Sequence, residues 1–128
     1  MPTIAATPDS LGAAIARGGL VLIDFWAAWC RPCHQFSPIF AAASDAHPEH
    51  VFATVDTDRE QGLALRFGVQ SLPTLVVVRD GEIVYSRAGV PRLRELETII
   101  AHSARSFTND TVTELDQDAT TPGTSARS

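Results

Sequence analysis

The chain has 128 residues, 45% of them hydrophobic and 20% charged, with a formal net charge of −5 at pH 7. That length suits one domain with a core of its own, and the composition is that of an ordinary globular protein. The charge argues against nucleic acid as a partner, because phosphates are bound through clustered Lys and Arg, whereas this chain has no lysine and its arginines are dispersed.

Thr3 to Ala5 reads as a short edge strand. PDSLGAAIARGG, from Pro8, reads as a helix with Leu11, Ala14 and Ile15 on one face, stopped by Gly18-Gly19. LVLIDFW (Leu20 to Trp26) is an almost unbroken apolar run, the pattern of a central strand buried on both faces, with Trp26 in the core. A helix follows from near Arg31, with Pro32 tolerated in its first turn and Pro38 expected to kink it. His50 to Asp56 alternates like a strand, and DREQGLALRFG, from Asp58, reads as a short helix closed by Gly68. TLVVVRD and EIVYSRA flank Asp80-Gly81, a two-residue hairpin signal. Pro91 opens the last predicted helix, with Leu93, Leu96, Ile99 and Ile100 on its buried stripe. The order is that of an α/β domain with a mixed sheet. From residue 107 the chain is rich in Thr, Ser and Asp and too poor in apolar residues to offset its ordering entropy, so residues 107–128 are expected to be a disordered polar tail beside a domain spanning 1–106.

The chemistry concentrates in WCRPCH, residues 29 to 34. The motif matches covalent haem attachment, but the one methionine available as a second axial ligand is Met1, and the surrounding strand–helix pattern offers the macrocycle no pocket. Cys30, Cys33, His47 and His50 approximate a zinc-finger spacing. A finger folds around its metal for want of a core, however, and this chain has one. No metal site is therefore expected, and His47 and His50 read as loop residues. The third reading is a redox dithiol. Cys30 falls where a buried strand ends and a helix begins, and the unpaired N–H groups and macrodipole of a helix N-terminus favour a thiolate, the species that attacks a disulfide. Two buried structural thiols would leave Arg31-Pro32 as an odd filling for a core.

Through VLIDFWAAWCRPCHQFSP (21 to 38), SLPT (71 to 74), the Asp80-Gly81 hairpin and Gly89, the chain resembles the thioredoxin family over most of residues 3 to 106. The resemblance implies a central mixed sheet flanked by helices and an activity of protein-disulfide reduction. It implies Cys30 as the attacking thiolate, Cys33 as the resolving thiol and Asp24 as the buried acid that relays the proton of Cys33. Pro73 would be cis, its loop (Ser71, Leu72) facing the dithiol and pairing main-chain groups with an extended substrate. Trp29 would shape the substrate surface, although packing is an equal reading of it. Pro32 would tune the potential, Pro38 would be the family's helix kink, and Gly89 would be a close-approach position in the substrate groove. Two departures stand out. Arg31 replaces the usual glycine, which predicts a less reducing couple. Thr54 stands where a lysine often accompanies the buried acid, so Asp24 should hold its proton more tightly.

The expected partners are disulfide-containing proteins and, as the resemblance implies, a flavin-dependent, NADPH-fed reductase, with no cofactor on the domain itself. A monomer is expected. With no apolar run of ~18 residues and no leader-like N-terminus, the expected location is the cytoplasm, away from membranes. Two rivals remain open: an adaptor or holdase with merely regulatory thiols, and a more oxidising oxidase or isomerase, marked by a potential nearer ~−180 than ~−270 mV.

Overall fold

A computed structural model describes residues 3–105. The element order is β1 (Ile4–Ala5), α1 (Pro8–Ala16), β2 (Leu20–Trp26), α2 (Arg31–Ala46), β3 (Val51–Asp56), α3 (Gln61–Arg66), β4 (Thr74–Arg79), β5 (Glu82–Ala88) and α4 (Leu93–Arg105). The strands form one mixed sheet in the order β1-β3-β2-β4-β5. β3 runs parallel to both β1 and β2, β4 is antiparallel to β2, and β5 is antiparallel to β4. The chain divides into two compact units, Met1–Thr98 and Ile99–Ser128. Of the second, the described residues are the last turns of α4, where Ile100 and Ser103 are buried. The expected boundary at residues 106 and 107, and the expected tail, lie outside the described residues.

β2 owes its central place to the apolar run that marks it: all seven residues but Trp26 are buried. Strand alternation sends Val21, Ile23 and Phe25 to one face, where they join Leu11 and Ala14 of α1 and Leu63 of α3 in one cluster. Leu22, Asp24 and Trp26 point to the other face, as do their β3 register partners Phe52, Thr54 and Asp56. α2 covers that second face, its Phe40 ring meeting Phe52 edge-on at 5.3 Å between centroids. Burying an aromatic ring of this kind stabilises the fold by about 1.5–3 kcal/mol.

Local chemistry sets the ends of the elements. Thr7 caps α1 reciprocally with Ser10, each side chain accepting from the other's backbone N–H. Asp80 and Gly81 both have positive φ, 50° and 87°, the two-residue turn whose twist matches a hairpin. The Asp80 carboxylate also accepts from the Gly19 N–H at 2.8 Å, tying the hairpin to the turn before β2.

Several boundaries and burials differ from expectation. α3 begins at Gln61 rather than Asp58, because Asp56 holds the intervening residues in a turn, accepting from the Asp58 N–H on its side chain and from Arg59 and Glu60 on its carbonyl. α4 begins at Leu93 rather than Pro91; the Glu95 carboxylate accepts from the Arg92 N–H, half of a capping box. Leu93, expected on the buried stripe, is 43% exposed, because it occupies the first turn, whereas Leu96 is fully buried. Trp26 is half-buried rather than core, since it ends β2. Pro38 lies inside α2, as expected, and the helix continues through it to Ala46.

Candidate active site

Cys30 follows directly from the end of β2 through the Ala27–Trp29 loop, and it is the N-cap of α2. Its Sγ accepts a hydrogen bond from the backbone N–H of Cys33 at 3.2 Å. That bond satisfies one of the donors a helix N-terminus leaves orphaned, and Pro32, in the first turn, has no N–H to satisfy. A sulfur so placed meets the positive end of the helix dipole, which favours its anionic form. The two sulfurs are joined as a disulfide, with the Cα atoms 5.3 Å apart, within the ordinary range for such a bond. Cys33 is 1% exposed and Cys30 5%.

The two sulfurs border different spaces. Cys30 opens on a surface cavity of about 490 Å³ that also brings together Trp29, Arg31, Pro32, Ser71 and Leu72. Trp29 is 71% exposed. Its indole N–H donates to the Asp58 carboxylate at 3.0 Å, which orients the ring without burying it. Of the two readings of Trp29, packing and surface, the exposure favours the second. Leu72–Pro73 is a cis peptide bond, as the resemblance implied. The loop carrying it is pinned by the buried Thr74, whose hydroxyl donates to the Ser71 carbonyl at 2.5 Å, and by the Gly89 N–H, which donates to the Pro73 carbonyl at 2.9 Å. Gly89 is exposed and has φ +112°, a conformation that L side chains rarely adopt; a Cβ there would meet nothing within 4 Å. Within the free chain, the backbone angle alone requires glycine.

Cys33 borders the second space, a cavity of about 310 Å³ lined by Asp24, Trp26, His34, Ser37, Thr54 and Thr3. Asp24 is 2% exposed, and its Oδ1 has no hydrogen-bond partner among the described residues. Burial without a cation raises its pKa from 3.8 to about 7. Thr54 is its register partner on β3, as the resemblance implied. A carboxyl that titrates near neutrality and shares a cavity with a thiol can take that thiol's proton and give it up again.

His34 is exposed, its Nε2 lying 2.7 Å from the Ala28 carbonyl oxygen. His47 and His50 lie beyond the far end of α2 from the cysteines, so the four-ligand zinc set is not assembled. The sequence reading missed Asp58, Thr57 and Gln70, the last two of which line the larger cavity. Nothing in their local pattern marks them; folding delivers them from the end of β3 and the loop before Pro73. In the sequence Asp58 reads only as a helix opener.

Over residues 2–102 the chain matches the family model described as Thioredoxin. It is similar to a thioredoxin of Bacillus subtilis, 34% identical over 101 residues that make up 78% of this chain and 96% of the relative. It is likewise similar to a thioredoxin of Alicyclobacillus acidocaldarius, 33% identical over 77% of this chain and 95% of the relative. Among solved structures it resembles a mutant thioredoxin from Halobacterium salinarum, with a TM-score of 0.73 and 30% identity over 84% of this chain and 91% of that one.

Proposed function

This chain belongs to the thioredoxin family and is a thiol–disulfide oxidoreductase acting on protein disulfides, and from that premise we propose that Cys30 attacks, Cys33 resolves and Asp24 takes the proton that Cys33 loses. In the reduced form the Cys30 thiolate attacks one sulfur of a substrate disulfide, forming a mixed disulfide and expelling a substrate thiolate. The Cys33 thiol then passes its proton to Asp24 and attacks Cys30 Sγ. That step closes the intramolecular disulfide and releases the second substrate thiolate, so two electrons move from the pair to the substrate. Trp29, Ser71, Leu72, Pro73 and Gly89 form the surface on which an extended substrate lies, and Arg31 and Pro32 tune the couple.

The observation that carries this reading is the division of labour between the two sulfurs. One opens on the surface cavity and caps a helix; the other shares an inner cavity with a carboxyl near neutral pKa. The exchange needs an accessible anionic attacker and a resolving thiol that loses its proton only when called on, and these two environments provide them. The family match does not favour an adaptor with silent thiols or a dedicated oxidant.

The proposal extends to the setting. Re-reduction comes from an NADPH-dependent thioredoxin reductase, the protein works as a monomer in the cytoplasm, and its role is electron transport in redox homeostasis. Residues 1–106 are the working domain, and the cysteines carry the electrons without a cofactor. No helix among the described residues is long and apolar enough to cross a membrane.

The test is insulin disulfide reduction with a thiol or reductase supplying electrons. Cys30→Ser is expected to abolish turnover, and Cys33→Ser to accumulate a mixed disulfide with substrate. Wild-type rates from Cys30→Ser would end the assignment.

A further inference from the structure

Where α2 gives way to β3, three side chains with metal-binding atoms converge. His47 Nδ1 lies 3.4 Å from Glu49 Oε2, and His50 Nε2 lies 3.5 Å from that same oxygen. All three donor atoms fall within 4.8 Å of one another. The backbone holds them there. His47 closes α2 as its C-cap, and the His50 N–H donates to the His47 carbonyl at 3.1 Å in a tight turn. The two imidazoles stack with centroids 5.9 Å apart and planes 18° from parallel. A fourth group, Glu97 of α4, lies behind His47, its Oε1 2.5 Å from His47 Nε2.

We propose that His47 Nδ1, Glu49 and His50 Nε2 form a binding site for a divalent transition-metal ion, foremost Zn²⁺, with Glu97 as the outer carboxylate that orients His47. Two imidazole nitrogens and a carboxylate oxygen are a donor set that suits such ions, and three protein ligands leave a fourth position for water. The spacing fits as well. A tetrahedral site with bonds of about 2.1 Å has its ligand atoms about 3.4 Å apart, and the two His–Glu separations already have that value. Only the His–His separation must close, by a rotation of the two half-buried rings. Glu97 takes the nitrogen of His47 that faces away from the metal, the carboxylate–histidine–metal arrangement that fixes tautomer and ring orientation. The site is independent of the dithiol: 16-residue α2, about 24 Å long, separates them.

The test is calorimetric titration of ZnCl₂ into the untagged full chain in its disulfide form, in which both sulfurs are bonded and no thiol competes. One equivalent is expected to bind. His50→Gln and Glu49→Gln are each expected to weaken it at least tenfold, and Glu97→Gln about tenfold through loss of the orienting carboxylate. His34→Gln and His102→Gln should leave it unchanged. Glu49 is exposed, so its substitution does not threaten the fold, and unaltered disulfide reduction by the His50 and Glu49 variants checks that they are folded. Absence of binding, binding that survives His50→Gln and Glu49→Gln, or binding that follows His34 or His102 overturns the proposal.

Discussion

Replacing Asp24 with Asn should stabilise the protein, and by an amount that depends on pH. Burial raises the Asp24 pKa from 3.8 to about 7 and leaves one carboxyl oxygen without a partner among the described residues. The folded state therefore holds a proton that the unfolded state releases earlier, and stability from this group falls as pH rises. Below pH ~4 the carboxyl is protonated in both states and costs nothing extra. Between about 4 and 7 the penalty grows, and above 7 it is complete. A pKa higher by about three, at 1.36 kcal/mol for each, amounts to about 4 kcal/mol. Asn has nearly the same shape and no charge. It should therefore match wild type near pH 4 and exceed it by up to about 4 kcal/mol at pH 8. Urea unfolding of both oxidised proteins at pH 4, 5.5 and 8 measures this difference, and the oxidised form keeps the thiols from titrating. A gain of the same size at pH 4 and pH 8 would show that Asp24 titrates normally and refute the reasoning. The same variant should slow disulfide exchange, because Cys33 loses its proton acceptor.

Arg31→Gly should make the Cys30–Cys33 couple more reducing, since the substitution removes a cation beside the attacking sulfur; potentials equal within ~10 mV, under half a kcal/mol, would contradict this. Gly89→Ala should lower stability by about 1–2 kcal/mol, because its backbone sits at φ +112° although a Cβ has open space there. Thermal or urea unfolding reads that loss, and an unchanged midpoint would mean that the backbone angle relaxes freely.

Much of the fold was legible because two signals are strong and local. The Leu20–Trp26 run has no reading but a buried strand, and Asp80-Gly81 between β-branched stretches dictates a hairpin. What failed was set by side-chain bonds that periodicity does not register, namely the Asp56 turn that delays α3 and the Glu95 cap that delays α4. Leu93 was misjudged for a related reason: an apolar residue in phase with a buried stripe still lies at the surface when the helix has only just begun. At the site, the dithiol could be placed from the strand–helix junction alone. The cavity between Asp24 and Cys33 could not, because it arises where β2, β3 and α2 meet. The Asp24–Thr54 pairing was legible through the resemblance and is borne out by the parallel register, which strand alternation alone does not give. The convergence of His47, Glu49 and His50 was not legible for another reason: it depends on the tight turn in which the His50 N–H reaches the His47 carbonyl, and residues that read as a loop carry no periodicity that marks such a turn.

The account turns on Cys30 being an anion at neutral pH because it caps α2. Iodoacetamide alkylation of the reduced protein, followed as a rate against pH with the modified residue identified by mass, tests this directly. The account predicts that Cys30 reacts first, with a midpoint well below the ~8.5 of free cysteine. A midpoint at or above that value, or Cys33 reacting ahead of Cys30, would contradict it.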